Sequence, residues 1–326
     1  MPRRFANLAL LAAIVMLLAS GIVAWLLPDT AAGALYVTHR VAGIALILAL
    51  VWKYAIARRS LRRRGMRGTG VWIGLFAAAL TIAAAGLGLA WTIGLVSFDR
   101  PLAYSALNLH VIAGLALAVV VVAHALMRGE SRPALVTLAS RRAALRALGV
   151  LAASFALSVV VDRVGLAKRT TGSRHAGSFS GNAFPTTIWS LDTVPSIDPD
   201  RWRLRIRTPN APPLDLSYAD IAALPRHEAS VVLDCTGGWW SEQVWSGVSL
   251  MDVARRALGE TATQVEVISV TGHRWTFDRS EVEQAILATH VGGEPLCAGH
   301  GYPLRLVAPS LRGFLWIKWV GEVVVA

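Results

Sequence analysis

The stretch Val231-Val232-Leu233-Asp234-Cys235-Thr236-Gly237-Gly238-Trp239-Trp240 places a cysteine between a short apolar run and two glycines. The β-branched run predicts a buried strand, and the glycine pair predicts a turn directly after it. A thiol in such a turn is accessible and can bind a soft metal as thiolate. The alternative is that Cys235 fills space as a small buried apolar side chain, the commoner role of a cysteine near a strand end.

The sequence around this turn, from residue 166 onward, alternates short strand-like and helix-like segments. Strands are predicted over 202–207, 231–233, 265–270 and 304–307, and helices over 250–258 and 279–287. The sequence contains no Gly-x-Gly-x-x-Gly fingerprint, phosphate-binding loop, Cys-x-x-Cys pair or His-Glu-x-x-His helix. Residues 166–326 are therefore predicted to form a mixed α/β domain without conventional nucleotide or zinc chemistry.

Further motifs follow the cysteine turn in a fixed order: His300-Gly301-Tyr302-Pro303-Leu304-Arg305, and then Lys318-Trp319. With these three elements, the chain resembles the sulfite-oxidase-type molybdopterin-dependent oxidoreductases over roughly 175–326. The upstream segment Arg174-His175-Ala176-Gly177-Ser178-Phe179-Ser180-Gly181-Asn182-Ala183-Phe184-Pro185 is similar to the segment that opens this domain in bacterial members.

The resemblance implies a role for each matching residue. Cys235 would be the catalytic residue that supplies a thiolate to molybdenum. The pterin and its phosphate would be held through charge-assisted hydrogen bonds by His300, Arg305 and Lys318, with Asn182 and His175 as further candidate contacts. Without the resemblance, His300 and Arg305 would be read as a satisfied turn histidine and a surface strand charge. No role is expected for Cys297, and a disulfide between Cys235 and Cys297 would remove the metal ligand.

The residues after the cysteine narrow the substrate class. Animal and plant sulfite oxidases have asparagine and arginine there, whereas this chain has Gly238, Trp239 and Trp240. We also expect no immunoglobulin-like dimerisation domain after Lys318. Both features resemble the periplasmic methionine-sulfoxide reductase catalytic subunit, which implies a neutral S-oxide or similar small oxo-substrate.

Composition sets the other half of the chain apart. The chain has 326 residues, of which 55% are hydrophobic and only 16% are charged, and its mean hydropathy is +0.52; the length allows about two domains. Residues 1–165 carry 17 Lys and Arg against 4 Asp and Glu, whereas residues 166–326 carry 15 against 16. A nucleic-acid-binding protein needs a basic face on a folded domain, so we expect no nucleic-acid partner.

Residues 1–165 contain five apolar segments that are long enough to cross a lipid bilayer, whose core needs about 20 apolar helical residues. They are predicted over 8–27, 35–56, 71–96, 106–127 and 147–161. Arginines concentrate before the first segment, between the second and third, and between the fourth and fifth, which predicts that these regions are cytoplasmic. The chain is thus predicted to be a multi-pass protein of the cell (inner or plasma) membrane, with a cytoplasmic N-terminus and an extracytoplasmic C-terminal domain.

The stretch Ser140-Arg141-Arg142-Ala143-Ala144-Leu145-Arg146 before the fifth segment also resembles a twin-arginine export signal. That route carries folded, cofactor-loaded domains. Ala144 replaces the usual aromatic residue, and the alternative is that these arginines serve only the membrane orientation.

Three histidines, His39, His110 and His124, lie within the apolar segments, where ionisable groups are expensive and usually functional. His39 and His110 are each followed four residues later by a glycine, Gly43 and Gly114, on the same helix face. A porphyrin needs such a missing side chain to approach the helix, so the two histidines are predicted to ligate one haem b iron from opposite sides. The alternative is a pair of histidines that are hydrogen-bonded across a helix interface.

Arg40 is placed to meet a propionate of this haem. A second haem would use His124, which lies 14 residues beyond His110, but the matching position on the second segment is Lys53. One haem is therefore predicted.

The chain is accordingly predicted to be an all-α, cytochrome b-like membrane bundle (1–165) followed by a sulfite-oxidase-type molybdopterin-binding domain (166–326). Oxygen-atom transfer at molybdenum would exchange electrons through the haem with quinone or another membrane carrier. The alternatives are a sulfite dehydrogenase with reversed electron flow and a non-catalytic membrane redox sensor or electron-relay module.

Overall fold

The computed structural model describes residues 3–64, 69–96, 105–128, 141–188, 192–209, 211–258 and 262–325. The chain divides into two compact units, Met1–Arg174 and His175–Ala326. The division falls later than the boundary predicted at residue 165, because the segment after the last long helix packs within the first unit. The backbone N–H of Leu166 donates to the carbonyl of Thr92 at 3.1 Å, and the indole of Trp91 donates to the carbonyl of Gly172 at 2.9 Å.

The first unit consists of five long helices: α1 (Arg3–Leu26), α2 (Asp29–Arg64), α3 (Thr69–Ile93), α4 (Ala106–Arg128) and α5 (Arg141–Val164). All five are long and apolar enough to cross a membrane. Within the unit, α1 packs on α2, α3 on α4, and α2 on α5.

The helices differ from the predicted segments at several ends; α1 begins before residue 8, and α2 extends beyond 35–56 in both directions. The third segment was predicted to reach residue 96, but α3 ends at Ile93 because Gly94 adopts a φ of +79° and closes the helix in a left-handed conformation. The fifth helix is longer than predicted, since Arg141 and its neighbours form the first turns of α5.

Among its described residues, the second unit contains eleven strands counted in chain order, the first of which spans its boundary. They are β1 (Arg174–His175), β2 (Arg203–Thr208), β3 (Ala211–Ser217), β4 (His227–Cys235), β5 (Trp239–Ser249), β6 (Gln264–Ser269), β7 (Arg274–Asp278), β8 (Ile286–Val291), β9 (Glu294–Pro295), β10 (Arg305–Val307) and β11 (Val320–Val325). Three short helices connect them: α6 (Tyr218–Ala222), α7 (Leu250–Leu258) and α8 (Arg279–Gln284).

The strands form two sheets. One sheet has the order β1-β5-β8-β10, with β4 paired to β5 and β9 paired to β8. The other has the order β3-β2-β11-β6-β7, in which β11 runs parallel to β2 and antiparallel to β6. Strand β2 alternates as its sequence predicts, with Leu204 and Ile206 buried and the intervening arginines exposed.

Helix α8 is shorter than the segment predicted over 279–287. Its N-terminus is fixed by a capping box, in which the Asp278 side chain accepts from the backbone N–H of Glu281. Ile286 and Leu287 belong instead to β8, where Leu287 is fully buried between partners on both sides. A short apolar run that is buried on both faces cannot be distinguished from a buried helical segment by its periodicity, so the sequence pattern extended the predicted helix too far.

Candidate functional site

Cys235 is the last residue of β4, and residues 236–238 turn the chain into β5. The turn pairs Cys235 with Trp239, and the backbone N–H of Gly238 donates to the Cys235 carbonyl at 3.0 Å. Gly238 has a φ of +92°, which a residue with a side chain rarely adopts. The backbone N–H of Gly237 lies 3.3 Å from the Cys235 sulfur, so a thiolate there would accept a hydrogen bond from the main chain.

The two cysteines are in different environments. Cys235 is 8% exposed, whereas Cys297 is exposed, and neither forms a disulfide bond. The sulfur of Cys297 lies 3.2 Å from Nδ1 of His300. Cys297 therefore lies beside a predicted cofactor-binding residue, although the sequence assigned it no role.

His300 ends a short 3-10 turn, Ala298–His300, and is 2% exposed. Its ring stacks on Phe184 with a centroid distance of 3.8 Å, and its Nε2 lies 3.0 Å from the hydroxyl of Thr186. Burial, with Arg305 and Lys318 nearby, lowers the pKa of His300 to about 3. At neutral pH the ring is therefore uncharged, with one nitrogen as donor and the other as acceptor.

Arg305 begins β10 and is 3% exposed. One of its terminal nitrogens donates to the carbonyl of His300 at 3.0 Å, and its guanidinium lies over the rings of Trp245 and Trp316 at 5.1 and 5.8 Å. Burial lowers the pKa of Arg305 to about 10, although the neighbouring Cys235 and Cys297 raise it, so the side chain stays charged at neutral pH. Within the described part of the chain, its Nε is buried without a hydrogen-bond partner.

Lys318 is connected to the cysteine turn through Thr187. The ammonium of Lys318 donates to the carbonyls of Thr187 and Gly299 at 2.8 and 2.7 Å. The hydroxyl of Thr187 accepts from the indole of Trp239 at 3.1 Å, and a Cβ added at Gly237 would lie 3.4 Å from that hydroxyl and 3.5 Å from the Cys235 sulfur. The segment around Thr187 therefore lies between the thiol and the lysine.

Sequence reasoning did not identify Phe184, Thr186 or Thr187 as site residues. The one signal that could have found them is their position, because Phe184 belongs to the segment 174–185 that resembles the domain's opening motif and the two threonines follow that segment directly. Their contacts with His300 and Trp239 join residues more than 50 positions apart and are not visible in local patterns.

The backbone at Gly301 and Trp319 brings the cationic residues together. Gly301 has a φ of +111°, and a Cβ there would lie 3.1 Å from the Cβ of Arg305 and 3.2 Å from that of Lys318. Trp319 has a φ of +52°, which is strained for a residue with a side chain. Its indole donates to the carbonyl of Ala298 at 2.7 Å, a contact that helps to hold this conformation.

The two further candidate pterin contacts, Asn182 and His175, interact with protein groups around the site. Asn182 donates to the carbonyl of Pro295 and accepts from the backbone N–H of Cys297, both at 2.8 Å, and so fixes the loop that leads to His300. His175 packs against Trp240 with a centroid distance of 4.4 Å. The structure thus brings Cys235, His300, Arg305 and Lys318 together, and it places Asn182 and His175 beside them in positions that organise loops.

In the first unit, His39 and His110 lie face to edge, with ring centroids 5.9 Å apart. Nδ1 of His39 lies 3.0 Å from the carbonyl of Leu17, and Nδ1 of His110 lies 2.7 Å from that of Ala84. A backbone carbonyl on one ring nitrogen fixes the tautomer that leaves the other nitrogen able to bind a metal.

Two glycines of neighbouring helices, which the sequence did not single out, approach these rings. A Cβ at Gly21 of α1 would lie 2.7 Å from the ring of His39, and one at Gly88 of α3 would lie 3.0 Å from the ring of His110. Gly43 instead faces Leu17 at 3.7 Å. The close approach is therefore made by neighbouring helices, which a pattern within one helix cannot show.

The other polar residues of the helices are held by local contacts. Arg40 pairs with Asp162 of α5 and lies 4.8 Å over the ring of Tyr36, so its predicted propionate contact would compete with this ion pair. Lys53 donates to the side-chain oxygen of Asn7 at 2.9 Å. His124 approaches Gly74, where an added Cβ would be 3.5 Å from its ring.

Comparison with known proteins finds a family that is similar to most of the second unit. Residues 191–326 match the family described as the oxidoreductase molybdopterin binding domain. The chain is 32% identical over 163 residues to the mitochondrial sulfite oxidase of Rattus norvegicus, which covers 40% of this chain and 30% of that protein. It is 35% identical over 129 residues to the uncharacterized oxidoreductase YuiH of Bacillus subtilis (strain 168), which covers 38% of this chain and 64% of that protein.

Among solved structures, the sulfane dehydrogenase SoxCD from Paracoccus pantotrophus aligns with a TM-score of 0.38 and 23% identity over 40% of each chain. The chain spans about a third of the length of the sulfite oxidase and less than two thirds of that of YuiH.

Proposed function

Because residues 191–326 form an oxidoreductase molybdopterin-binding domain of the sulfite oxidase type, we propose that the chain is a membrane-bound enzyme that transfers an oxygen atom at molybdenum. Its substrate would be an S-oxide or a similar small oxo-compound. The observation that carries this proposal is the set of contacts around Thr187, whose hydroxyl accepts from Trp239 beside the cysteine turn and whose carbonyl accepts from Lys318.

The residues of the site fit the molybdenum-pterin cofactor. Cys235 offers a soft sulfur ligand that accepts a backbone hydrogen bond, and Arg305 and Lys318 offer cations to an anionic phosphate. The Nε of Arg305, which lacks a partner among the described residues, supports the presence of a further acceptor. When bound, the cofactor supplies the two-electron redox chemistry, and the protein contributes ligation, orientation and electrostatics.

A neutral substrate suits the residues that follow the thiol. None of Thr236, Gly237, Gly238, Trp239 and Trp240 carries a charge, and Trp240 is partly exposed. The balanced reaction takes an S-oxide, two electrons and two protons to the corresponding thioether and water. The two electrons would have to be supplied to the site one at a time if the donor is a one-electron carrier.

We propose that His39 and His110 would hold one haem b, which would supply one-electron transfer to the enzyme. An imidazole nitrogen binds a metal at about 2 Å, so two rings with centroids 5.9 Å apart are close enough to ligate one metal between them. The carbonyls of Leu17 and Ala84 would orient the two rings from behind. Quinone or another carrier in the lipid bilayer would supply the electrons.

A second candidate function is the oxidation of sulfite, because the domain is similar to a mitochondrial sulfite oxidase. In that reaction sulfite and water give sulfate, two electrons and two protons, and the electrons flow outward. Sulfite is an anion, and we place it second because the turn after Cys235 offers it no charged side chain.

The decisive experiment measures molybdenum content and turnover in purified full-length protein. We expect about one molybdenum per chain, and faster turnover of methionine sulfoxide with a reduced dye than of sulfite with an oxidised dye. Cys235→Ser should abolish turnover and lower the molybdenum content, whereas Cys297→Ser, the matched control, should retain both. Faster turnover of sulfite would favour the second candidate, and molybdenum-free protein from cofactor-competent cells would favour a non-catalytic sensor or relay.

A further inference from the structure

A buried ion pair lies directly beside the cysteine turn. A terminal nitrogen of Arg312 donates to the carboxylate of Asp234, and the two side chains are 1% and 7% exposed. By contrast, the ion pair Arg205–Asp215 of the same unit lies on the surface. Sequence reasoning gave no role to Asp234 or Arg312.

Stability alone is a poor explanation for this pair. Removing two charges from water costs several kcal/mol per ion, and a buried pair is often no more stabilising than apolar side chains of similar volume. Losing one partner is strongly destabilising, because the other charge then stays buried without compensation. A buried ion pair that adds little stability, but whose partners cannot be lost singly, is better explained by a role in orienting the segments that it joins.

The position of the pair gives it a direct mechanical connection to the thiol. Asp234 adjoins Cys235 in β4, and Arg312 adjoins Gly313, which begins the 3-10 turn Gly313–Leu315. A Cβ added at Gly313 would lie 3.0 Å from the carbonyl oxygen of Asp234 and 3.2 Å from the Cα of Cys235. The segment that carries Arg312 therefore lies against the backbone of Cys235.

We propose that Asp234 and Arg312 are positioning residues that fix the direction in which Cys235 presents its sulfur. The ion pair holds the end of β4 against the Gly313 turn, and the planar guanidinium restricts the orientation of that contact more than a flexible ammonium would. Its relevance to catalysis rests on the proposed function, in which this sulfur ligates molybdenum. The two residues act through the backbone of Cys235.

The test compares full-length variants in a Cys297→Ser background, so that Cys235 is the one thiol present. The central variant is Asp234→Leu/Arg312→Met, which replaces both charges with apolar side chains and should keep a Tm close to that of the parent. We expect iodoacetamide to alkylate Cys235 several-fold faster in this variant than in the parent, when both are made without cofactor synthesis. In cofactor-loaded protein, the electron paramagnetic resonance signal of Mo(V) should shift.

Arg312→Lys keeps the charge and loses the planar fork, so it remains informative should the double variant fail to fold. We expect Arg312→Lys to give an intermediate alkylation rate. Arg205→Gln breaks the exposed pair with Asp215 and is the matched control, with alkylation rate and Mo(V) signal unchanged.

Either of two results overturns the proposal: a double variant that folds with the alkylation rate and Mo(V) signal of the parent, or an Arg312→Lys variant that matches the parent in both. The alkylation measurement uses protein without cofactor, so it decides the positioning role even if the parent never contains molybdenum. Absence of molybdenum would count against the proposed function alone.

Discussion

His300 shows how one residue's surroundings set its charge. Stacking on Phe184 and burial remove its ring from water, while Arg305 and Lys318 disfavour a further positive charge. The ring therefore serves as a neutral hydrogen-bonding group, and the positive charge beside it comes from Arg305 and Lys318. If these residues bind the pterin phosphate as proposed, this division of roles would allow the phosphate to be recognised by both charge and direction.

The depressed pKa of His300 predicts a specific pH dependence of stability. The pKa is about 3 in the folded protein against 6.5 for an ordinary histidine, so between these values the unfolded chain binds more protons. The stabilisation is complete above about pH 6.5 and is lost as the pH falls toward 3. Thermal unfolding of the full chain, followed by tryptophan fluorescence, should show a smaller loss of Tm over this range for His300→Gln than for wild type.

His227→Gln is the control for this measurement, because His227 is an exposed histidine of the same unit. It should retain the wild-type profile. If the Tm of His300→Gln falls as steeply as that of wild type between pH 6.5 and 3, protonation of His300 does not contribute to the loss of stability.

The sequence identified part of the site at this scale. Cys235, His300, Arg305 and Lys318 belong to ordered motifs that resemble one family, so a reader of the sequence can name them. The resemblance to that family is confirmed by the match of residues 191–326. Thr187 and Arg312 act through contacts with residues far away in the chain, and no local pattern signals such contacts.

The conformation of the turn at Gly301 leads to a prediction about cofactor binding. Gly301→Ala forces a side chain into a left-handed backbone conformation, at a cost of about 1–3 kcal/mol, and into contact with Arg305 and Lys318. We expect a Tm several degrees lower and a reduced molybdenum content. The measurements are thermal unfolding and elemental analysis.

Gly272→Ala is the matched control for this turn. Gly272 has a φ of +91°, but a Cβ there would meet nothing within 4 Å among the described residues. It should lower the Tm through backbone strain alone and leave the molybdenum content unchanged. Equal molybdenum losses in the two variants would show that the contact with Arg305 and Lys318 is unimportant.

Helices α2 and α4 carry the prediction about haem. If His39 and His110 are the axial ligands, a reduced-minus-oxidised difference spectrum of b type should be present in wild type and absent from His39→Ala and His110→Ala. His124→Ala is the control and should retain the spectrum. A spectrum that survives both ligand substitutions would contradict the assignment.

Element types were easier to predict than element ends. The five long helices and strand β2 were found because their patterns extend over many residues or alternate cleanly. The ends of α3 and α8 were misplaced, since Gly94 stops one helix through its backbone and Leu287 enters a doubly buried strand. The first outcome depends on the backbone conformation of one glycine, and the second on tertiary packing, which overrides local apolar patterns.

For the whole molecule, the distribution of arginine predicts membrane orientation. With the N-terminus cytoplasmic, Cys297 should react with a membrane-impermeant maleimide in intact spheroplasts, because it is exposed and belongs to the domain that is predicted to be extracytoplasmic. A cysteine introduced as Arg62→Cys, at the exposed end of α2, should react after lysis and not before. The measurement is the extent of labelling of each position, with the other cysteines replaced by serine.

The reverse labelling pattern would show that the predicted orientation is wrong. The wild-type chain labelled after lysis provides the control for total accessible thiol. The composition of the two halves was enough to make this prediction, whereas the strand order within the sheets was not predictable, because it depends on pairings between distant segments.

Strand β11 lies between β2 and β6 although it follows both in the chain. Among the strands of this sheet, residues 203–217 are synthesised first and residues 320–325 last. Until β11 is present, the pair β2–β3 and the pair β6–β7 are not joined. Lys318 arrives only just ahead of the strand that joins them. We therefore expect the proposed cofactor-binding residues Cys235, His300, Arg305 and Lys318 to come together only after β11 has been synthesised and has joined the two parts of the sheet.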